Sequence, residues 1–338
     1  MITRKEVAEL AGVSLAAVSR VVNNSSYVRQ DKREAIEKAI RELGYRPNPL
    51  AVAMRTQQTR HIMFCAGGVN SNYSFEVYEG VSRYAREHGY TAILCKDFDH
   101  EDFHSLMVDG VIMPNEMAAN TLLQDKEFTL PMPMVYASFG SAVMVPKRIP
   151  AIEVDTYRAM EMGIEYLLSK GHRKIALATP FNLDETNPRS LAWKNMMTPV
   201  LTDRLEDYVF LMDQDKLSLK EEPEEFCVYG NMLAEKFVQR QCDATAVICF
   251  NDSLAAGLMQ GLRRHHVRIP DDISIVGIDA STLGKLVYPP LTSISLSPLV
   301  HGKECARILI EIIENRNASR KTHIPISLVE GQSVRTLK

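Results

Sequence analysis

Apolar residues recur at three- and four-residue intervals along the first 45 positions, and then give way to strand-length runs. Val7, Ala8, Leu10 and Ala11 mark one helical face. Thr3 and Glu6 precede it with capping-box spacing, and Gly12 stops it where a left-handed residue is easy. Val13 plugs the turn. Ser14 can cap a second helix in which Val18, Val21 and Val22 face inward and Leu15, Ala16, Ser19 and Arg20 face out. Two short helices joined by a tight glycine turn form the helix-turn-helix pattern, whose second helix enters a major groove. An ordinary helical hairpin has the same periodicity. After a loop at Asn24–Val28, Gln30 to Leu43 predicts a third amphipathic helix, with Ile36, Ala39, Ile40 and Leu43 on one face and Gly44 at its end. Tyr45-Arg-Pro-Asn-Pro49 reads as a stiff connector, because residues before proline avoid the helical region. Leu50 to Thr56 is helix-compatible but short. Helices below ~12 residues are marginal alone, so this one is expected to form conditionally.

From His61 onward, strands are expected near Ile62–Ala66, Thr91–Cys95, Val111–Met113, Met134–Ala137, Lys174–Ala178, Tyr208–Leu211, Ala246–Phe250 and Ser274–Ile278. Helices are expected at Phe75–Glu87, Tyr157–Ser169, Ser190–Leu201, Tyr229–Arg240 and Asp252–His265. Near-continuous apolar strands alternating with helices imply parallel sheets covered on both faces, with ligands held beyond the carboxyl ends of the strands. Polar residues fall at those ends: Asn70 to Asn72, Asn251-Asp252 and Asp279. The acid-rich run Met212 to Glu225 reads as a solvated loop.

Charge separates the two textures. Residues 1–60 carry 11 Lys/Arg against 6 Asp/Glu, and the rest of the 338-residue chain carries 28 against 36. A basic head on an acidic body is the asymmetry expected where one end meets phosphate. At 46% hydrophobic and 24% charged, the chain has the composition of an ordinary globular protein of two or three domains. No apolar run approaches ~18 residues, and Arg4, Lys5, Glu6 and Glu9 stand where a signal peptide would be apolar, so no membrane role and a cytoplasmic location are expected.

The six cysteines form no C-x-x-C pair and read as reduced thiols. His265-His266, on a probable helix end, reads as solvated, and no metal site is expected. Gly67-Gly68 lacks the third glycine of a dinucleotide loop, and no phosphate loop, nucleophile elbow or H-E-x-x-H occurs. Neither a cofactor nor catalysis is expected.

The chain resembles the lactose-repressor (LacI/GalR) family of bacterial transcription regulators over essentially its whole length. The strings that carry the resemblance are Val7-Ala-Glu-Leu-Ala-Gly-Val-Ser14, Val18-Ser-Arg-Val-Val-Asn23 and Ala39-Ile-Arg-Glu-Leu-Gly-Tyr-Arg-Pro-Asn48. In the body they are Gly171-His-Arg-Lys-Ile-Ala176, Asn251-Asp252, Ile269 to Asp279 and Pro289-Pro-Leu-Thr292, all in family order. The resemblance implies an α/β protein with an all-α helix-turn-helix headpiece (1–48), a hinge helix and linker (49–60), and a type-I periplasmic-binding-protein-like core (61–338). The core is expected as two doubly wound subdomains with three crossovers, one of residues ~61–155 and ~288–318 and the other of ~156–287 and ~319–338. The expected partners are a near-palindromic operator, a small-molecule effector such as a sugar or related metabolite, and a second copy of the chain. Nothing larger than a dimer is expected.

Position by position, the resemblance assigns Leu15, Ala16 and Arg20 to base reading, Thr3, Ser14, Ser19, Asn23 and Tyr27 to the DNA contact, and Leu50, Ala51, Met54 and Arg55 to a hinge helix entering the minor groove, with Met54 as the wedge. Ala17 stands in place of the usual Thr, and Val52 in place of a frequent Arg. Effector contacts fall on Tyr73, Phe75, Arg189, Trp193, Asn251, Asp252 and Asp279. Asp252 can alternatively cap its helix, and Trp193 and Phe75 can belong to the core. Ser138 and Ala280 stand where sugar-binding members often carry Asp, so the ligand is open to being larger, less polar or not a sugar. Three other classes compete: a solute-binding protein, an enzyme of a doubly wound fold, and a regulator controlled by a partner protein.

Overall fold

The computed structural model describes residues 2–23, 27–56, 58–65, 72–95, 107–113, 132–138, 149–181, 183, 187–202, 204–211, 223–316 and 324–337. It divides into two compact units, Met1–Arg60 and His61–Lys338.

The first unit holds α1 (Arg4–Leu10), α2 (Leu15–Asn23), α3 (Gln30–Leu43) and α4 (Pro49–Thr56). Thr3 N–H donates to Glu6 Oε2 at 2.7 Å, which closes the start of α1. Gly12 and Gly44 take φ +62° at the ends of α1 and α3, the conformation that favours glycine. Ser14 Oγ accepts from Ala17 N–H at 3.3 Å and caps α2. Val7, Ala8, Val18, Ile36, Ala39 and Tyr45 form a small core, in which Val7, Val18 and Ile36 are fully buried. α4 makes no extensive contact with any other described element.

The second unit contains two sheets. The first is built from β1 (His61–Cys65), β2 (Thr91–Cys95), β3 (Gly110–Met113), β4 (Met134–Ser138) and β5 (Ala151–Glu153), in the order β2-β1-β3-β4-β5, all parallel. α5 (Asn72–Glu87) lies against it. The chain then crosses into the second set: α6 (Thr156–Ser169), β6 (Ile175–Thr179), α7 (Pro188–Met197), β7 (Val209–Leu211), α8 (Pro223–Arg240), β8 (Ala246–Cys249), α9 (Asp252–Arg264), β9 (Ser274–Asp279), α10 (Thr282–Leu286) and β10 (Thr292–Ser295). α11 (Pro298–Ile313) returns to pack on α5, β3, β4 and β5, and β11 (Ser327–Val329) closes the second sheet, whose order is β11-β10-β9-β8-β6-β7. Only β11 runs antiparallel, against β10.

The buried strands follow the apolar runs: every residue of β3, β4, β6 and β8 is buried. Helix pairs close over the sheets at glycines. A Cβ on Gly80 of α5 would meet the Leu299 carbonyl of α11, one on Gly302 the Val77 carbonyl of α5, and one on Gly257 of α9 the Cys227 carbonyl of α8.

The structure departs from the sequence pattern at four places. The boundary at ~288 is too early, because β10 pairs in parallel with β9 in the second sheet and the chain crosses only after Ser295. Its residues Thr292–Ser295 alternate too little in polarity to announce a strand. The short strands β5 and β11 and the five-residue α10 were not foreseen for the same reason. Pro223 to Glu225, expected in a loop, open α8. The expected helix Ser190–Leu201 starts earlier, at Pro188, and ends at Met197. The acidic residues 212–222, the loop positions 24–26 and Asn70 at the expected end of the first strand lie outside the described residues.

Candidate functional site

Two surfaces carry chemistry, one in each unit. In the headpiece, the core residue Val18 anchors α2, and the residues between its apolar positions are thereby turned out. Leu15 is 54% exposed although it is a large apolar side chain, and Ala16, Arg20 and Asn23 are exposed beside it. Ser19 is half-buried, and its Oγ accepts from Arg4 at 3.3 Å and from Asn23 Nδ2 at 3.1 Å. Arg4 also donates to the Tyr45 hydroxyl at 3.1 Å, so α1, α2 and the connector after α3 are tied together behind the exposed face. Tyr27 is 84% exposed. The backbone from Pro49 to Thr56 is helical, with Ala51 exposed and Met54 81% exposed; the side chains of Leu50 and Arg55 lie outside the described ones. An unpartnered leucine on a helix flanked by Ser14 and Arg20, and an unpartnered methionine on a separate short helix, are apolar groups set out where water gains nothing from them.

In the core, the second site lies at the carboxyl ends of the second sheet. Asn187 Oδ1 accepts from the N–H groups of Arg189 and Ser190 at 3.1 and 3.2 Å, and Pro188 occupies the first helical turn, so α7 starts where Arg189 is aimed inward. Arg189 is 7% exposed. One of its amino groups donates to the Phe250 carbonyl at 2.6 Å, and its guanidinium lies over the Phe250 ring at 4.3 Å. Phe181 meets Phe250 edge-on at 5.0 Å, and Phe226 stacks on it at 6.3 Å. Burial lowers the Arg189 pKa, and the charges of Asp279 and Asp252 pull it back.

Asp279 ends β9 with φ +116° and Ala280 follows with φ +51°. The Asp279 carboxyl is not ion-paired within 4.0 Å among the described residues. Burial pushes it up to about 8, the Asp252 charge adds to that, and Arg189 opposes both. Asp252 is fully buried, and its carboxylate accepts from Ser281 N–H at 2.7 Å, Ser281 Oγ at 2.9 Å and Ser293 Oγ at 2.6 Å. Asn251 Oδ1 caps α9 through Leu254 N–H at 2.8 Å.

Across from these, Tyr73 on α5 is close enough to feel the charges of Asp279 and Arg189, and burial with the Asp279 charge holds its phenol well above the ordinary value. His301 Nε2 lies 2.9 Å from the Ile152 carbonyl and must donate to it, while burial lowers the ring to about 4. The neutral Nδ1 therefore accepts from the Tyr73 hydroxyl at 3.0 Å. Glu76, one turn further along α5, is raised by burial, feels Lys285 of α10 and adds to the charge around Asp279.

The seven residues expected around an effector separate on this geometry. Arg189, Asp279 and Tyr73 are brought together, with Asn251 at the corner between β8 and α9. Phe75 lies 51% exposed on α5. Trp193 is fully buried, and its indole N–H donates to the Ile175 carbonyl at 3.2 Å: four positions after the inward-aimed Arg189, it falls on the same helix face, against the sheet. Asp252 is spent on the two serines. The sequence reading missed Phe181, Phe250, Ser281 and Ser293. Asn187-Pro188 is a legible helix-start signal, but nothing local marks Ser293, which reaches Asp252 over 41 positions. Among the described residues, no group of three His, Cys, Asp or Glu side chains gathers as for a metal, and no helix is long and apolar enough to cross a membrane.

Residues 3–48 match the model of bacterial regulatory proteins of the lacI family, and residues 164–334 match that of the periplasmic binding protein-like domain. The chain belongs to the LacI family. Relatives include proteins named HTH-type transcriptional repressor PurR in Vibrio vulnificus, 30% identical with 95% of each chain covered, and in Vibrio atlanticus, 29% identical with 100% of each covered. A ribose operon repressor of Haemophilus influenzae is 27% identical over 95% of each chain. Among solved structures, the Lac repressor dimer bound to operator and the anti-inducer ONPF superposes with a TM-score of 0.79 at 23% identity, covering 99% of both chains. A CelR–cellobiose complex does so with 0.65 at 22% identity, covering 98% of this chain and 100% of that one. This LacI-family chain thus has the two-part fold throughout.

Proposed function

We propose that this LacI-family protein is a transcriptional repressor that binds a two-fold operator as a homodimer, and that its operator affinity is set by a small polar metabolite held beside Arg189 and Asp279. The observation that carries the reading is the pair itself. A buried guanidinium and a half-buried carboxyl with no ion-pair partner within 4.0 Å among the described residues stand near enough for each to act on the other's charge, and both act on Tyr73 of the opposite subdomain. Arg189 has donors beyond the one given to the Phe250 carbonyl, and a ligand bearing an acceptor for them and a hydroxyl or N–H for the half-buried Asp279 fits the pair. A sugar or related ring fits those donors and acceptors, with Phe181 and Phe250 offering an apolar face. The relative named for a ribose operon and solved family structures holding cellobiose and ribose support that class.

On the DNA side, Arg20 presents two parallel N–H groups to a guanine edge, Leu15 and Ala16 meet thymine methyls, and Ser14, Ser19, Asn23, Thr3 and Tyr27 serve the backbone. The helix Pro49–Thr56 sets Met54 into the minor groove at the operator centre. The protein works where the chromosome is, in the cytoplasm. Ligand bound across the two subdomains changes the angle between them and so the spacing of the two hinge helices in the dimer. By linkage, operator must change ligand affinity by the same factor. The test is to titrate purified protein against a panel of sugars and related metabolites with operator affinity as the readout. At least one member is expected to shift the operator Kd in wild type and not in R189A. A panel without effect on wild type overturns the ligand-controlled reading, and a species of 38.0 kDa at working concentration overturns the dimer.

A further inference from the structure

We propose that Asp252 is a positioning residue and not a ligand contact: with Ser281 and Ser293 it holds the Asp279–Ala280 turn in a left-handed backbone and thereby aims the Asp279 carboxyl at the space beside Arg189. The inference rests on the reading of that space as the effector site.

The Asp252 carboxylate lies where three elements meet. It belongs to α9. Its Oδ2 accepts from the N–H and hydroxyl of Ser281, the residue after the turn, and its Oδ1 accepts from the hydroxyl of Ser293 on β10. A side chain on Gly277 of β9 would collide with Oδ1, and one on Gly284 of α10 would approach Oδ2 at 2.9 Å, so the carboxylate occupies the room those glycines leave. Ser293 Oγ also accepts from the Ala280 N–H at 2.9 Å and so links the buried charge directly to the turn. Asp279 at φ +116° and Ala280 at φ +51° hold backbone conformations that L-residues keep only when their surroundings fix them. The serines and Asp252 are those surroundings. The competing role for Asp252, capping α9, is already filled by Asn251 Oδ1. Adjacent residues at one strand end thus divide the work: Phe250 fixes Arg189, Asn251 caps the helix, and Asp252 fixes the turn that carries Asp279.

The experiment uses the full chain with carboxyl-13C aspartate, the Asp279 resonance being assigned with D279N. In wild type, Asp279 is expected to titrate near 8. Serine substitutions remove no ionisable group, but they also loosen the hydrogen bonds that hold Asp252, at about 6, in its charged form, so the A280G rescue, which leaves Asp252 as it is, isolates the geometry. S293A is expected to lower the Asp279 midpoint by about one pH unit or more as the released turn lets more water reach the half-buried carboxyl. Adding A280G to S293A is expected to restore much of the midpoint, because glycine adopts the left-handed region without help. S281A is expected to lower the midpoint less, since it leaves the Ser293–Ala280 bond, and it serves as the reading if S293A does not fold. An Asp279 midpoint that stays in place in S293A or S281A, while both melt at lower temperature, would show the serines to be merely structural and overturns the proposal. So does a lowered midpoint that A280G fails to raise. None of these measurements involves the effector, so a failed metabolite panel and a failed positioning role are told apart.

Discussion

Arg189 and Asp279 show how much a single side chain here depends on what holds it. Arg189 sits in a buried place against a carbonyl and an aromatic face, and burial lowers its pKa while the nearby Asp279 and Asp252 act to raise it. Asp279 has the opposite balance: burial raises it from an ordinary 3.8 to about 8. An acid whose folded pKa lies above its unfolded one contributes stability that is complete below pH 3.8, falls as the pH rises through the window between the two values, and is gone above about 8. D279N cannot ionise, so its stability relative to wild type is expected to rise steadily from pH 4 to pH 8 and then level off, as read by urea denaturation across pH. Trp193 allows a second check. W193F keeps most of the apolar volume and loses the bond to the Ile175 carbonyl, so it should cost about 1 kcal/mol of stability. It should leave the affinity for an effector found in the panel unchanged; a marked loss of affinity would return Trp193 to the ligand site.

At the scale of elements, two helix contacts matter most. α5 and α11 meet at Gly80 and Gly302, where backbone lies against backbone, and α5 carries Tyr73 while α11 carries His301. The Tyr73–His301–Ile152 chain of hydrogen bonds therefore ties a residue facing Asp279 to the helix that returns the chain from the second sheet to the first. G302A drives a methyl into the Val77 carbonyl and is expected to destabilise the core by about 1–3 kcal/mol, measured by thermal or denaturant unfolding. α4 is the contrasting case. It is helical, yet Met54 is exposed, and in the proposed function that exposed side chain is the wedge into the minor groove. M54A is expected to weaken operator binding and to reduce the bend at the operator centre, seen by circular-permutation gel shift, with the core's effector affinity in the absence of DNA unchanged.

For the whole molecule, the chain divides at Arg60 into two compact units, and the proposed DNA contacts fall in the first and the proposed effector contacts in the second. A fragment of residues 61–338 is expected to fold and to bind an effector with the affinity of the DNA-free full chain, measured by calorimetry, and to have no operator affinity. Full-length protein saturated with operator should differ from both, because only there does the linkage between the two sites act. Burial and charge agree with that division: the basic residues of 1–60 surround a six-residue core too small to need more than three helices, while the acidic remainder builds two sheets.

Local signals were enough for whatever is built locally. The capping pair Thr3–Glu6, the left-handed glycines at 12 and 44, the periodic valines of α2 and the long apolar strands each satisfy their own backbone within a few residues, so the pattern of the sequence determined the headpiece, the strand–helix alternation and the family. The positions of Arg189, Asn251 and Asp279 at strand or helix ends are also legible, because strand–helix alternation marks those ends. The tertiary structure alone decided which of the polar residues at those ends already have hydrogen-bond partners inside the protein. Asp252 and Trp193 have the chemistry of ligand contacts, but Ser293 and the Ile175 carbonyl, brought in from 41 and 18 residues away, take up their hydrogen-bonding capacity. Polar satisfaction is settled by whatever lies within 3 Å or so in space, and a chain written in order does not state those neighbours. The short strand Thr292–Ser295 belongs to the second sheet for the same reason: β9 on one side and β11 on the other make it a strand, and its own four residues do not.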